Sequence, residues 1–338
     1  MRESLLQLLR CPRCRAAASF ELEVGARDAH EIREGGLRCR ECGLERTIEG
    51  GIVDLLYEPP DFVVREAAGL ERFAEVMRAD GWDRERILAL PDVPLGYWGE
   101  QQRAMRQVLS ATTFRPGERL LDLGSNTCWA SNIFARHGLD VIALDIASTE
   151  LQGLRTADYF IDGGEVYFER VLSVMFDPAF VDASFDYVFC CETMHHNDPA
   201  NLHATMRELH RILRPGGRLL MVSEPLRFPL RLKRDHAQEV AQFEGHEHVY
   251  FMHQYWWAAR RAGFRVTLPG VAATRYGLRP GDGEVPPPSG RLAPLKALLR
   301  RHAAGRPIVR AYRIAHYWWK HAVAGNPSLD LFGERRRA

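Results

Sequence analysis

No run of 18 apolar residues occurs in this chain of 338 residues, so no segment reads as a helix spanning a bilayer. Neither sign of charge dominates. There are 45 basic and 44 acidic residues, a net of +1, which argues against a strongly basic nucleic-acid binder. The opening stretch MRESLLQLLRCPRC is too short and too charged for a secretory leader. The seven cysteines are odd in number, so a disulfide framework is not expected and a reducing, cytoplasmic location is. Apolar content of 46% against 26% charged excludes a wholly disordered chain, a collagen-like repeat and a coiled coil.

The near-zero charge is a cancellation. Residues 291–338 hold eleven Arg and Lys against Asp330 and Glu334, a surplus of nine. Residues 1–290 hold 34 basic against 42 acidic residues, a deficit of eight. The length suggests two domains and an appendage. Composition divides the chain into an N-terminal module (1–57), a helical connector (58–118) and an α/β domain (119–278). A Pro/Gly linker (279–294) and a basic amphipathic extension (295–338) follow.

Four cysteines form two pairs, Cys11-Pro-Arg-Cys14 and Cys39-Arg-Glu-Cys42. A C-x2-C turn presents two thiolates to one metal, and two such turns complete a tetrahedral zinc site. Four thiolates close the coordination shell, so this zinc is expected to be structural. The 24 residues between the pairs can fold as a β-hairpin, with the alternating ASFELEV in one strand and the turn at Gly35-Gly36. The module resembles a small zinc-ribbon family whose members activate methyltransferases or sit fused in front of them. That resemblance covers residues 1–57, including Glu49-Gly50-Gly51-Ile52-Val53-Asp54.

Pro59-Pro60 ends the module. Residues 62–79 read as an amphipathic helix with Phe62, Leu70, Phe73 and Met77 near one face, and residues 97–111 read as another. Their aromatics suit packing; a lid over a ligand site is the functional alternative. From residue 119 short apolar strands alternate with helices. Strands are expected at 119–123, 140–144, 166–174, 185–191, 217–223, 264–268 and 271–276. Helices are expected near 127–137, 149–160, 200–213 and 254–262. This alternation predicts a doubly wound, mostly parallel, seven-stranded sheet, Rossmann-like, behind the small N-terminal zinc ribbon. Ligands of such sheets bind at the carboxyl ends of the central strands.

The first of these strands ends in Leu121-Asp122-Leu123-Gly124-Ser125-Asn126-Thr127-Cys128. A dinucleotide fingerprint would need G-x-G-x-x-G; only Gly124 is present, which disfavours a nicotinamide enzyme. Asp145 ends the second strand, 23 positions after Asp122. A carboxylate there can accept ribose hydroxyls. With Asp182-Ala183-Ser184-Phe185-Asp186-Tyr187-Val188, Met194-His195-His196 and the run from Leu209 through Arg214-Pro215-Gly216-Gly217 to Leu219, these segments resemble the class I S-adenosylmethionine-dependent methyltransferases over residues 100–270. The resemblance implies that Asp122, Gly124, Ser125 and Asn126 cradle the methionine part of the cofactor. Asp145 and Ile146 would hold the ribose, with Met175 and Cys191 completing the cofactor site. Residues 213–217 form a structural turn in this reading. The sequence departs from the family pattern twice. Asn126 and Cys128 stand where D-x-G-x-G-x-G has glycines, and Ser173, Val174 and Met175 stand where an acidic residue usually meets the adenine amine.

The fourth strand ends at Cys190-Cys191-Glu192-Thr193-Met194-His195-His196, which in this family adjoins the sulfonium. Methyl transfer is mainly a matter of alignment, and a base helps when the nucleophile is a hydroxyl. His195 is the first candidate base and His196 the second; packing and capping is the other reading of the pair. Glu224 ends the fifth strand and is expected to point into the same cleft. His246, Glu247 and His248 follow in a long insertion. They could act as base, bind a divalent metal with Glu224, or belong to a solvated loop. No N/D-P-P-Y/F segment follows the fourth strand, which argues against amino methylation of adenine-type bases by that motif.

In the extension, Arg310, Arg313, Tyr317 and Lys320 share one helical stripe and Ile308, Tyr312, Ala315 and Trp319 another. Such a helix can pack on its own domain, lie at an anionic membrane surface as a peripheral contact, or meet an acidic partner or nucleic acid. The sequence therefore predicts a methyltransferase with S-adenosylmethionine and a structural Zn2+. Its acceptor is expected to be an oxygen of a small molecule or glycan, such as a secondary metabolite. An RNA methyltransferase is the second reading, weakened by the acidic body; a non-catalytic scaffold binding partners through the ribbon is the third.

Overall fold

A computed structural model describes residues 1–93, 96–227, 248–268 and 328–336, together with 311, 312 and 315. The N-terminal module is an antiparallel meander of four strands: β1 (Phe20–Arg27), β2 (Ile32–Cys39), β3 (Glu45–Glu49) and β4 (Ile52–Asp54). The hairpin turn falls at residues 28–31, where Asp28 Oδ1 accepts the His30 and Glu31 amides at 2.7 and 2.9 Å. This corrects the expected turn at Gly35-Gly36. Those glycines lie inside β2, opposite Val24 and Glu23, and a Cβ on Gly35 would run into the Glu23 carbonyl.

The module does not stop where its cysteines do. Strand β4 pairs in parallel with β7 (Glu169–Leu172), Val53 opposite Val171. One sheet of eleven strands results among the described residues, in the order β1-β2-β3-β4-β7-β6-β5-β8-β9-β11-β10. The other members are β5 (Arg119–Leu123), β6 (Asp140–Asp145), β8 (Phe185–Cys191), β9 (Leu213–Pro225), β10 (Arg265–Thr267) and β11 (Ser328–Glu334). Strands β5 to β11 are the α/β part, seven in number, with β11 antiparallel between β9 and β10. The sequence pattern places 328–334 in the basic extension and a last strand at 271–276. The latter segment lies outside the described residues. Strand β11 is held by a short alternation that the neighbouring arginines obscure: Leu329 and Leu331 face one side of the sheet and Phe332 the other. Residues 213–217 are also not a free-standing turn. They belong to β9 as a bulge, since the pairing jumps from Phe185↔Leu213 to Tyr187↔Arg218.

Both faces of the parallel part are buried, as crossover helices require. Leu121, Leu123, Ile142, Leu144, Val188 and Cys190 pack on one side with the ribbon core, α6 (Pro199–Ile212) and α7 (Met252–Arg261). Leu120, Val141, Ala143, Tyr187 and Phe189 pack on the other with α1 (Asp61–Ala79), α3 (Gly96–Ala111) and α4 (Trp129–Arg136). The short helices α2 (Arg84–Leu88) and α5 (Asp158–Ile161) complete that layer. Helix α5 and a preceding 3-10 turn at Leu154–Ala157 are all that forms of the helix expected at 149–160. Asp198 caps α6 by accepting the Asn201 amide at 2.7 Å, and Pro199 follows it at the first helical position. Among the described residues no helix is long and apolar enough to cross a membrane.

Strand β5 lies between β6 and β8. Its two neighbours are reached by crossovers of opposite direction along the sheet, which opens a crevice at the carboxyl ends of these strands.

Candidate functional site

Three sequence features meet at that crevice. The β5 strand turns sharply at Gly124 (φ +68°), where a Cβ would collide with the Thr193 side chain. The Gly124 and Ser125 amides bond the Leu144 carbonyl at 2.9 and 3.1 Å, tying the loop to β6. Asn126 (φ +45°) and Cys128 (φ +57°) take the left-handed backbone that glycines would otherwise supply. Asn126 secures this with its side-chain amide on Gln152 Oε1 at 2.8 Å. Cys128 stands at the N-cap of α4 without a side-chain cap bond, and its fully buried thiol lies 3.8 Å from Ser125 Oγ and 3.6 Å from the Asn126 carbonyl. Burial pushes its thiol pKa up.

Asp145, at the end of β6, accepts the Asn126 amide on Oδ2 at 2.8 Å and the Ile146 and Ala147 amides on Oδ1 at 2.7 and 3.1 Å. A carboxylate offers about four acceptor positions, so roughly one is left for a ligand hydroxyl. Burial raises its pKa to about 6 against these three bonds. Asp122 lies deeper. It accepts the Ser131 hydroxyl at 2.6 Å, anchoring α4, and burial raises its pKa to about 7.

At the end of β8 the chain forms a 3-10 turn, Met194–His196. Thr193 holds its start, donating from Oγ1 to the Leu123 carbonyl at 3.1 Å. Glu224 does not stand free in the cleft. It accepts the Thr193 and Met194 amides at 2.8 and 2.9 Å and the His195 amide at 3.3 Å, and lies 3.2 Å from His195 Nδ1. Burial raises this carboxyl to about 7 despite those bonds. His195 is buried, and its carbonyl accepts the His248 amide at 2.7 Å. The His196 ring lies tilted by 41° against it with centroids 4.2 Å apart, and its Nδ1 is 2.5 Å from Glu66 Oε1 without the geometry of a hydrogen bond. His248 thus joins the site through its backbone; His246 and Glu247 lie outside the described residues. Met175 receives the Asn197 amide on its sulfur at 3.0 Å, and Cys191 donates to Gln101 Oε1 at 2.6 Å.

Sequence reading missed four contributors: Glu66, Gln101, Gln152 and Thr193. A signal existed for Glu66, a carboxylate on the stripe of α1 that buries Val63, Ala74 and Met77. For Gln101 there was none beyond its place in a helix read as a lid. Helix α1 does lie across the strand ends. Phe62 meets Phe176 after β7 at 5.9 Å, and Met77 meets Gln152 after β6 at 2.7 Å. Trp98 of α3 packs edge-on against Trp129 at 6.1 Å.

The crevice holds polar atoms that nothing in the protein answers. Among the described residues Thr127 Oγ1 and Gln101 Nε2 are buried without hydrogen-bond partners. Such atoms cost free energy unless a bound group answers them.

In the ribbon, the four cysteine Sγ atoms lie within 4.8 Å of one another, Cys11 3.6 Å from Cys42 and Cys14 3.6 Å from Cys39. These separations are far too long for a disulfide. They match the edge of a tetrahedron with Zn–S bonds of about 2.3 Å, roughly 3.8 Å.

Comparison with known proteins agrees with this geometry. Residues 97–268, half of the chain, match the family described as methyltransferase domain. The chain belongs to the methyltransferase domain family. Ahead of this methyltransferase domain, residues 2–45 match the family described as Trm112p-like protein. Two curated relatives of the methyltransferase domain illustrate its range. The 27-O-demethylrifamycin SV methyltransferase of Amycolatopsis mediterranei is 29% identical over 136 residues, 37% of this chain and 48% of that protein. An O-methyltransferase of Aspergillus sclerotiorum is 24% identical over 139 residues, covering 38% and 51%. The chain spans about half the length of these curated relatives. Among solved structures, the complex between the Haloferax volcanii Trm112 methyltransferase activator and the putative methyltransferase is 16% identical with a TM-score of 0.44. It covers 78% of this chain and 97% of that one.

Proposed function

We propose that the chain is an S-adenosylmethionine-dependent methyltransferase that methylates an oxygen of a small molecule or sugar, with a structural Zn2+ held by Cys11, Cys14, Cys39 and Cys42. The observation that carries the first part is the loop at the end of β5. At Gly124 the Thr193 side chain leaves no room for a Cβ, Asp145 accepts the Asn126 amide of the loop, and two buried polar atoms lack hydrogen-bond partners, Thr127 Oγ1 in the loop and Gln101 Nε2 beside Cys191 at the end of β8. Gly124, Ser125, Asn126 and Thr127 would receive the methionine part, Asp145 one ribose hydroxyl, and Gln101 a polar group of the amino-acid end. When bound, the cofactor supplies an electrophilic methyl group on a sulfonium. The chain's own part is to orient the acceptor at the end of β8, to exclude water beneath α1 and α3, and to take up the acceptor's proton at the histidine pair. The oxygen acceptor is supported by that imidazole pair and by the two relatives described above, whose names specify oxygen methylation. The ribbon is proposed to act as a built-in partner of the methyltransferase domain, joined to it through β4 and β7.

The test is calorimetric titration with S-adenosylmethionine, followed by incubation of host metabolite and RNA fractions with the methyl-labelled cofactor. Micromolar binding with label in the small-molecule or glycan fraction is expected. Absence of binding at millimolar cofactor overturns the enzyme reading, and label confined to RNA overturns the acceptor.

A further inference from the structure

Helix α7 buries Tyr255, Ala258 and Ala259 in the core, a stripe at helical spacing. Trp257 falls outside that stripe. It is 54% exposed, although an indole is among the groups that gain most from burial. It stands on the rim of a groove between α7 and α6, with a volume of about 350 Å3. The floor holds Leu202 and Tyr250, both buried. Arg261, His203 and His253 share the rim with Trp257.

The floor offers rings and apolar carbon but no charge. The Tyr250 hydroxyl is spent on the Asn197 carbonyl at 2.6 Å, and burial beside Asp198 raises its pKa and keeps it protonated. Asp198 is itself committed to the α6 N-terminus, accepting the Asn201 amide. The rim is cationic and uncommitted. Among the described residues Arg261 and His203 form no ion pair or side-chain hydrogen bond, and His253 meets the Phe251 ring, stacked at 5.6 Å.

We propose that this groove is a binding site for a planar aromatic anion, a small aryl carboxylate or aryl phosphate. A ring laid on the exposed Trp257 face gains stacking, and an acid group beside it meets the Arg261 guanidinium, whose fork of donors matches carboxylate and phosphate oxygens. His203 and His253 supply further N–H donors. An uncharged ring would leave the cationic rim unanswered, and an inorganic anion would leave Trp257 and the apolar floor uncovered. The volume lies at the small end of ligand pockets, about 300–1,000 Å3, and suits one compact ring system with its acid group. The groove shares no residue with the crevice at the end of β5, and the inference is independent of the methyl-transfer reading.

The experiment is calorimetric titration of the full chain with naphthyl phosphate and naphthoate, beside uncharged naphthalenemethanol and inorganic phosphate. The two aryl anions are expected to bind with submillimolar affinity, and the uncharged ring and inorganic phosphate each about 10-fold or more weakly. Trp257→Ala and Arg261→Gln are each expected to weaken naphthyl phosphate about 10-fold or more. Trp257→Phe, which keeps a ring, is expected to stay within about 3-fold of wild type. Both side chains are exposed, so the melting temperatures of these variants should match that of wild type. Absence of binding at millimolar aryl anion, or binding that persists in the Trp257→Ala, Arg261→Gln double variant, overturns the site. Equal affinity for naphthalenemethanol overturns the anionic class. A short oligouridylate that binds more tightly than naphthyl phosphate, and is lost in the same variants, overturns the small-ligand reading in favour of single-stranded nucleic acid.

Discussion

Glu31, in the turn of the ribbon hairpin, forms an ion pair with Arg170 in β7, and neither side chain is more than 1% exposed. Asp158 approaches the same guanidinium at 2.6 Å, Arg33 meets Glu31 at 2.7 Å, and the Met1 ammonium lies 2.9 Å from Glu31. Burial alone would raise the Glu31 carboxyl; the Arg170 guanidinium and the ammonium outweigh it and bring the pKa down to about 2. A buried cation stripped of its partner is costly. Glu31→Gln is therefore expected to lower stability by about 3–5 kcal/mol at pH 7, read from denaturant unfolding. Because the folded pKa lies below the unfolded one, this stabilisation is complete above about pH 4.5 and is lost as pH falls toward 2. A variant as stable as wild type at pH 7 would refute the coupling.

Asp122 has the opposite sign. Its carboxyl titrates near 7 in the fold because of burial and near 4 when unfolded. The unfolded chain thus sheds its proton first, and stability declines as pH rises from about 4 to 7. Asp122→Asn keeps an acceptor for the Ser131 hydroxyl and removes the charge. It is expected to be more stable than wild type at pH 8 by roughly 2–4 kcal/mol, with a shallower slope across that window. Asp145 and Glu224, also raised by burial, keep some slope in both proteins. Parallel stability curves would count against the burial argument.

Two loop substitutions separate backbone from side-chain effects. Gly124→Ala places a methyl against Thr193 at a left-handed residue and is expected to weaken cofactor binding about 10-fold or more by calorimetry. Cys128→Gly, which moves toward the family pattern, is expected to leave affinity within about 2-fold, since the thiol is fully buried and makes only long contacts of 3.6–3.8 Å with the loop. A large gain in affinity would show that the cysteine crowds the ligand.

Removal of the proposed zinc is expected to lower the melting temperature of the whole chain. Phe20, Ile32, Leu37 and Ile48 of the ribbon belong to the same core as Leu121, Leu144 and Val171. Amide exchange after chelation should rise in β1 to β4 and then in β7. Exchange confined to the ribbon would mean that the two parts unfold independently.

The sequence made the local features legible. The cysteine pairs come together because two C-x2-C turns can converge on one point, and β5, β6 and β8 are apolar runs ending in glycine or acid. What stayed hidden depends on distant pairing. Strand β4 has three residues, and its partner is more than 100 positions away. Strand β11 alternates over too short a span to stand out beside Arg335 and its neighbours. Glu66 and His196 are separated by 130 positions, and periodicity places Glu66 on a buried stripe without saying what it meets. The expected basic amphipathic helix falls largely outside the described residues; residues 311, 312 and 315 within it are helical.

The join between β4 and β7 also answers a question of solubility. A parallel sheet that ended at β7 would present a row of unpaired amides and carbonyls, a template on which another copy could add a strand. Val53 opposite Val171, and the Leu55 amide donating to the Leu172 carbonyl at 2.9 Å, close that row from within the same chain. The outermost strand becomes β1 instead, which is studded with Glu21, Glu23 and Arg27. The ribbon thereby exchanges a naked edge for a charged one.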